Sequence, residues 1–413
     1  MVAEIHAGDY GSVRMLVRKG FRFRVYPTTE QASRLMRWES ALRFLWNLAN
    51  EQRRMGLARL ANERRYPTAF DQSNELTELR AELPWLADVP RDLCTHVLFE
   101  LDKAWQRCFQ RLGRAPRWKR KGFDAPGLTE STAKGWRLDG DIVRFPKIGN
   151  LRAIVHRSLE GKPKTCTIKR DGDQWFASIV CEIEKPAPTP RTEPVVAIDH
   201  GVVNLLADSD GRLVKSPRYL ECVIRRLAHA QRAVSRRKKG SKNREKAVVR
   251  VMRIHRKVRR QREHSLHELS AAYAKSHGTV VLERLNIAGM MRGWCARGIA
   301  DAGWGKFREM LRYKLAWTGG LLVEVPAAYS SQTCSVCGHV DARSRQSRSA
   351  FACVACGHHD HADLNAAKVL KMRAVESTVT GCGGSAEVGH PKKQQLRVVR
   401  RQKSSAPWSD RIT

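Results

Sequence analysis

Between residues 21 and 26, apolar Phe21, Phe23 and Val25 alternate with Arg22, Arg24 and Tyr26. That two-residue period predicts a half-buried strand. Pro27 ends the run, and Thr28 with Gln31 three residues on makes a capping box. Leu35, Trp38, Leu42, Leu45 and Leu48 follow at helical spacing, so the strand leads straight into an amphipathic helix. Leu98, Leu101, Trp105 and Phe109 form another helical stripe, in a helical region with basic loops that runs to about residue 125. Trp38, Trp46 and Trp105 read as core, because stacking on a nucleotide would need an exposed ring face.

From 139 to 185 the period changes to two. The segments IVRF, LRAIVH, KTCTIKR and WFASIVCEIE read as strands, separated by the turns PKIGN, LEGKP and DGDQ. Short strands with Gly-containing turns suggest a small barrel, which the strand at 21–26 would join with the helices inserted between. Residues 185–194, KPAPTPRTEP, are a Pro-rich linker and the best domain boundary. VVAIDHG then reads as a buried strand ending in an acid, and NLLAD and RLVKS as hairpin strands around Ser209-Asp210-Gly211. Leu227, Val234, Val248, Met252 and Val258 keep a loose helical period that breaks at Gly240-Ser241, so two helices are expected. Helical spacing continues from Leu266 to Ala274. TVVLE (279–283) and LLVEV (321–325) read as strands, and Leu364 to Leu370 as a helix. Residues 1–14 read as a disordered leader, and the Gly-rich, basic stretch from 371 as a disordered tail.

Charge narrows the class of protein. Lys and Arg number 76 against 41 acids, a net charge of +35 over 413 residues, yet 42% of the chain is hydrophobic. The chain is too apolar for a disordered basic tail. Such a charge self-repels and attracts polyanions, so nucleic acid is the expected partner, with a merely alkaline or ribosome-like protein as the bland alternative. Seventeen Lys or Arg lie between Arg225 and Arg262 against one acid, Glu245. Solvated faces usually mix signs. This one does not, which favours phosphate contact by Arg236, Arg237, Lys238, Lys239, Lys242, Arg244, Lys246, Arg253, Arg256, Lys257, Arg259 and Arg260. Smaller basic clusters lie at 111–121 and 392–403. No uncharged apolar run approaches the roughly 18 residues of a membrane span, and the first residues lack a secretory signal. A cytoplasmic, nucleoid-associated location in a bacterium or archaeon is expected.

The 11 cysteines are an odd number, which argues against a disulfide framework. Cys334, Cys337, Cys353 and Cys356 form a C-x2-C-x15-C-x2-C pattern, and Gly338 and Gly357 follow the two pairs. That is a ribbon spacing for tetrahedral Zn²⁺, and four thiolates close the shell of a structural metal. His339, His358, His359 and His361 are nearby but are not expected to ligate. Cys94, Cys108, Cys166, Cys181, Cys222, Cys295 and Cys382 lack partners at metal spacing and read as ordinary buried thiols.

Three acids flank this pattern. Asp199 ends VVAID, Glu283 ends TVVLE, and Asp363 opens DLNAAKVL. Acids at strand C-termini of an α/β sheet point into the site crevice. Clustered carboxylates are what two-metal phosphodiester chemistry requires, with hard oxygens holding Mg²⁺. Each acid also has a plainer reading: a turn for Asp199, a solvated strand end for Glu283, a helix N-cap for Asp363. Spacing alone does not bring the three together.

From about residue 20 to 370 the chain resembles the TnpB (OrfB) family of insertion-sequence proteins, RNA-guided nucleases related to type V CRISPR effectors. The resemblance is carried by FRFRVYPTTEQ, AIDHGVVNLLADSDG, VVLERLNIAGMM, IADAGWGKFREMLRYKLAWTGG and YSSQTCSVCGHV…FACVACGHHDHADLNAAKVL, in that order. It implies an α/β plus small β-barrel architecture. An RNase H-like (RuvC) nuclease domain would span 195–370 with an inserted zinc ribbon at about 328–360. An N-terminal wedge-like barrel would span 15–184 and carry a helical recognition lobe at about 28–135. Asp199, Glu283 and Asp363 match the family's catalytic, Mg²⁺-binding carboxylates, and Cys334, Cys337, Cys353 and Cys356 its zinc ligands. His200 departs from the family, which more often has Pro or an aliphatic residue there. Asp360 in HHDHAD is a second acid close to Asp363.

The activity so implied is RNA-guided DNA cutting by a protein of a transposable element, often called a transposase. Guide RNA and target DNA would be the partners, and the element's own transposase a possible functional one. Base pairing would read the target. A catalytically silent RNA-guided DNA-binding regulator and an accessory factor of transposition are the alternatives. The three acids argue against the first. No Tyr, Tyr219 and Tyr313 included, sits in a recognisable nucleophile motif, which argues against a transposase proper.

Overall fold

A computed structural model describes residues 14–59, 66–122, 124–131 and 135–380. The expected leader lies outside these residues up to position 13, as do Cys382 and the basic cluster at 392–403.

The first unit begins with β1 (Arg14–Tyr26), which starts seven residues before the alternating stretch. It pairs antiparallel with the later strand β7 (Gln174–Pro186) from Arg14↔Pro186 to Val25↔Trp175. Charged cross-strand contacts carry the early part: Arg18 meets Glu182 at 3.1 Å, and Arg14 meets Glu184 at 3.5 Å. Phe21, Phe23 and Val25 face the core as expected. The Thr28–Gln31 capping box forms with bonds of 3.0 and 3.2 Å. It opens α1 (Thr29–Arg59), followed by α2 (Ala69–Glu82), α3 (Pro84–Ala87) and α4 (Arg91–Phe109). Trp38 and Trp105 are buried, and the Trp46 indole N–H donates to the Arg117 carbonyl. Leu48 and Phe109 are exposed, against expectation: the stripes are longer than the surfaces they pack on.

The remaining strands of this unit are β2 (Leu128–Glu130), β3 (Arg137–Asp139), β4 (Ile142–Phe145), β5 (Gly149–Ile154) and β6 (Lys162–Asp171). With β1 and β7 they form one sheet in the order β2-β6-β7-β1-β5-β4-β3. Among the described residues no pairing joins β2 to β3, so the expected barrel is a half-barrel.

The Pro-rich segment before residue 195 is not a free tether. The Arg191 N–H donates to Gly319 O at 2.8 Å, and the Gly278 N–H to Pro194 O at 3.0 Å.

The second unit has the strands β8 (Val195–His200), β9 (Asn204–Asp208), β10 (Leu213–Lys215), β11 (Thr279–Glu283) and β12 (Leu321–Val325). Their order is β10-β9-β8-β11-β12, with β8, β11 and β12 parallel. Its helices are α5 (Tyr219–Ser235), α6 (Lys242–Ser276), α7 (Ile287–Met290), α8 (Ala296–Ala302), α9 (Trp304–Thr318) and α10 (Ala362–Thr380). The Ser241 hydroxyl caps α6, at the expected break. Before α10 come the short strands β13 (Ala350–Ala352) and β14 (His359–His361), which pair antiparallel.

Helix α10 does not stop at Leu370. Ala374 is buried against Ala197, Val281 and Val325, and Arg373 donates to the carbonyls of Pro326 and Ala328 at 3.1 and 2.8 Å. These contacts extend the helix ten residues into the stretch expected to be disordered. Among the described residues no helix is long and apolar enough to cross a membrane.

The two units are clasped together. Asp171 and Asp173, in the β6–β7 turn, receive the arginines of α6. Arg253 Nη2 and Arg256 Nη1 lie 2.8 Å from the two carboxylate oxygens of Asp173, Arg256 also donates to Asp171 O, and Arg259 pairs with Asp171.

Candidate active site and cysteine cluster

Side-chain alternation decides which face of the second sheet each acid takes. Val196, Ile198, Val280 and Leu282 point to the core shared with α6 and α9. Ala197 and Val281 point the other way, to Leu370 and Ala374 of α10. Asp199 and Glu283 lie two residues beyond Ala197 and Val281, so they share the α10 face. The parallel register pairs Ile198 with Leu282, which leaves the two acids side by side at the strand ends. Asp363 comes from the first turn of α10 on that same face.

The Asp199 and Glu283 carboxyl groups are neighbours at the ends of adjacent parallel strands. Burial drives the Asp199 pKa well above its ordinary value; the Glu283 contact and the charges of Glu283 and Asp363 push the same way, and Arg345 opposes them. The backbone N–H of His200 donates to Glu283 Oε1 at 3.0 Å. Asn204 Nδ2 donates to Asp363 Oδ2 at 2.9 Å, and Arg345 lies 3.7 Å from Asp363 Oδ1. Asp363 is not the helix cap: His361 Nδ1 accepts from its N–H at 3.2 Å, leaving the carboxylate for the site. Asp360 is engaged elsewhere, by Lys368 at 2.7 Å. Asn204 and Arg345 carried no signal in the sequence, because their role depends on a hairpin and a ribbon folding over the sheet.

His200 turns to the opposite face. Its ring packs against Trp304 and Phe307, with centroids at 5.8 and 6.0 Å, and neither ring nitrogen has a partner. Burial takes its pKa down to about 4 and keeps it neutral.

The four ribbon cysteines converge, their sulfurs all within 4.8 Å of one another. Cys334 and Cys356 are 3.7 Å apart, and Cys337 and Cys353 are 3.6 Å apart. A tetrahedron with metal–sulfur bonds of about 2.3 Å has edges of about 3.8 Å, so the cage fits zinc. The two knuckles are copies: Gly338 and Gly357, both at φ +73, donate to the carbonyls of Cys334 and Cys353 at 3.0 Å. Backbone N–H groups of Cys356 and Ala355 hold the Cys353 thiol down at about 6. No histidine joins the cluster. The three acids are not gathered as tightly as the cysteines. Among the remaining cysteines, Cys94, Cys166 and Cys181 are buried, whereas Cys222 is exposed on α5, contrary to expectation.

The twelve basic residues divide. Arg253, Arg256 and Arg259 are occupied by the Asp171–Asp173 turn, Arg260 by Gln174, and Arg244 by the carbonyls of Val234 and Arg237. Arg237 donates to Asn243 O. Arg236, Lys238, Lys239, Lys242, Lys246 and Lys257 are exposed and make no ion pair among the described residues.

The chain thus combines a parallel-centred sheet, with Asp199, Glu283 and Asp363 on one face, a cysteine cage and a half-barrel unit. The fold is shared with the Cas12f1 chain of a Cas12f1–sgRNA–target DNA complex, at a TM-score of 0.54 and 13% identity, covering 86% of this chain and 98% of that one. The chain belongs to the OrfB (TnpB) family of insertion-sequence proteins: residues 178–293 match the IS605 OrfB family described as "Probable transposase". Residues 304–370 match a Cas12f1-like TNB domain. Residues 15–57 match a family described as a helix-turn-helix domain, although here they form a strand and one long helix. The candidate RNA-guided DNA endonuclease InsQ of Escherichia coli K12 is 30% identical over 91% of this chain and 97% of its own length. A candidate RNA-guided DNA endonuclease of Streptomyces pristinaespiralis is 34% identical over 89% of this chain and 92% of its own.

Proposed function

We propose that this chain is an RNA-guided DNA endonuclease whose cutting site is Asp199, Glu283 and Asp363. The observation that carries the proposal is the meeting of these acids, from three separate elements, at the strand ends of one sheet face. In this reading residues 195–380 are the RuvC-like, RNase H-like domain with its ribbon. Residues 14–186 are the wedge-like unit, with α1–α4 as recognition lobe. Guide RNA and target DNA are the partners.

The site fits Mg²⁺: its donors are hard oxygens, and burial first, with the charges of Glu283 and Asp363 adding to it, raises the Asp199 pKa, a penalty on the carboxylate that a divalent cation would relieve. Asp199, Glu283 and Asp363 would hold the ions, which supply an activated water and charge stabilisation at the leaving oxygen. The chain's own groups aim the ligands. The His200 N–H fixes Glu283, Asn204 fixes Asp363, and Arg345 neutralises Asp363. The cysteine cage would hold Zn²⁺ as a structural ion that ties the ribbon to α10.

The test is cleavage of a DNA target matched to RNA that co-purifies with the protein, with Mg²⁺ present. Asp199→Asn should lower the rate roughly a thousandfold or more, since metal charge stabilisation is worth several kcal/mol. RNA binding should be unchanged. Equal cleavage by the variant overturns the assignment, and a wild type that binds its target without cutting makes the protein a regulator.

A further inference from the structure

Trp294 is 97% exposed, an unusual setting for the largest apolar side chain. It stands on the segment between α7 and α8 at the mouth of a cleft of about 480 Å³. Its lining includes Val202 and Val203, in the turn that leaves β8, and Arg218, Arg297 and Arg348. Arg218 is paired with Glu221 at 3.4 Å. Arg297 and Arg348 have no ion-pair partner among the described residues. Asp301, which also borders the cleft, is neutralised by Arg262.

Two of these lining residues lead to the candidate active site. Val203 precedes Asn204, which bonds Asp363, and Arg348 follows by three residues Arg345, which faces the same carboxylate. Val202 packs under Gly298 of α8, where an added Cβ would meet Val202 Cγ1 at 2.5 Å, so the segment carrying Trp294 is seated on the catalytic hairpin.

We propose that this cleft is the docking site for the DNA single strand on its way to the acids. One base stacks on the Trp294 indole, and Arg297 and Arg348 hold the flanking phosphates. An aromatic face beside unpaired arginines is the physical form of sequence-tolerant single-strand binding. A duplex would keep its bases stacked on each other and leave the indole without a partner. The proposal rests on the nuclease reading for the fate of the strand, but the docking site is testable without any cutting.

The test uses the RNA-loaded complex in chelator, with an oligo(dT) carrying one 5-iododeoxyuridine. Irradiation should join the iodinated base to the peptide containing Trp294. Trp294→Ala should remove that adduct and weaken oligonucleotide binding roughly 5- to 100-fold, whereas Trp294→Phe should retain most of it, as expected for one base stack. Because the side chain is in solvent, neither change should alter guide-RNA binding. Arg297→Ala with Arg348→Ala should reduce the salt dependence of oligonucleotide binding. Unchanged binding by Trp294→Ala, or crosslinks only at other peptides, overturns the docking site. If the wild type fails to cut a matched target while the Trp294 adduct forms, the nuclease reading falls and the docking site stands. If Trp294→Ala cuts and binds as the wild type does, the reverse holds.

Discussion

At the scale of single residues, the candidate site depends on parity along two strands. Asp199 and His200 are neighbours, yet the first joins the acids and the second enters an aromatic core. The His200 backbone N–H serves Glu283, while its ring brings two unpartnered nitrogens into an apolar layer. Unpaired buried polar atoms cost about 1–3 kcal/mol. His200→Leu keeps the N–H and removes the orphaned nitrogens, so it should raise stability by about 1 kcal/mol in thermal unfolding, with Glu283 still held. Lower stability would mean that the ring has a partner in solution. The resemblance named the three acids, and the sequence pattern placed two of them at strand ends. Their convergence was not legible in spacing: it follows from register between strands about eighty residues apart and from a helix laid across them. Asn204 and Arg345 were invisible for the same reason.

At the scale of elements, local chemistry was legible and long-range charge was not. The Thr28–Gln31 cap, the Ser241 break and the cysteine knuckles could be read directly, because each is written within a few residues. Replacing Cys334 by Ser should lower the zinc content of the purified protein, measured as metal per chain by mass spectrometry, and unfold the ribbon; unchanged metal content would refute the proposed zinc cage. Arg253, Arg256 and Arg259 of α6 meet acids that come from a turn about eighty residues earlier, which no local run of charge discloses. Asp173 bears out their engagement. Burial alone would raise its pKa, but hydrogen bonds from Arg253 and Arg256 outweigh that and take it from 3.8 to about 2. Folding therefore favours the carboxylate. The resulting stability is complete above about pH 4 and is lost as pH falls toward 2. With partial solvent screening it is worth about 1–2 kcal/mol. Asp173→Asn should be destabilised by about that much at neutral pH, and the gap to wild type should close below pH 4 in chemical unfolding. A gap that persists at pH 2 would assign the clasp to something other than this charge.

At the scale of the whole molecule, the net charge of +35 is not one reservoir. Part of it is structural, spent where α6 grips the half-barrel, and part projects from the α5–α6 corner as Arg236, Lys238, Lys239, Lys242 and Lys246. The two parts make opposite predictions. Each side chain that neutralises an RNA phosphate contributes about 0.7–0.9 to the slope of log affinity against log salt. Changing Lys238, Lys239, Lys242 and Lys246 together to Ala should therefore cut that slope for guide-RNA binding by about 3, and leave the melting temperature nearly unchanged. Changing Arg256 to Met removes one of the two arginines on a partly exposed carboxylate, so it should cost about 1–2 kcal/mol of stability and leave the slope as it was. Filter binding across a salt series, with thermal unfolding of the same variants, separates the two. If the lysine set leaves the slope intact, the RNA lies on another face, and the basic cluster at 111–121 becomes the next to neutralise. If Arg256→Met lowers the slope, the clasp opens in the loaded complex, and the two units are held together by the guide rather than by each other.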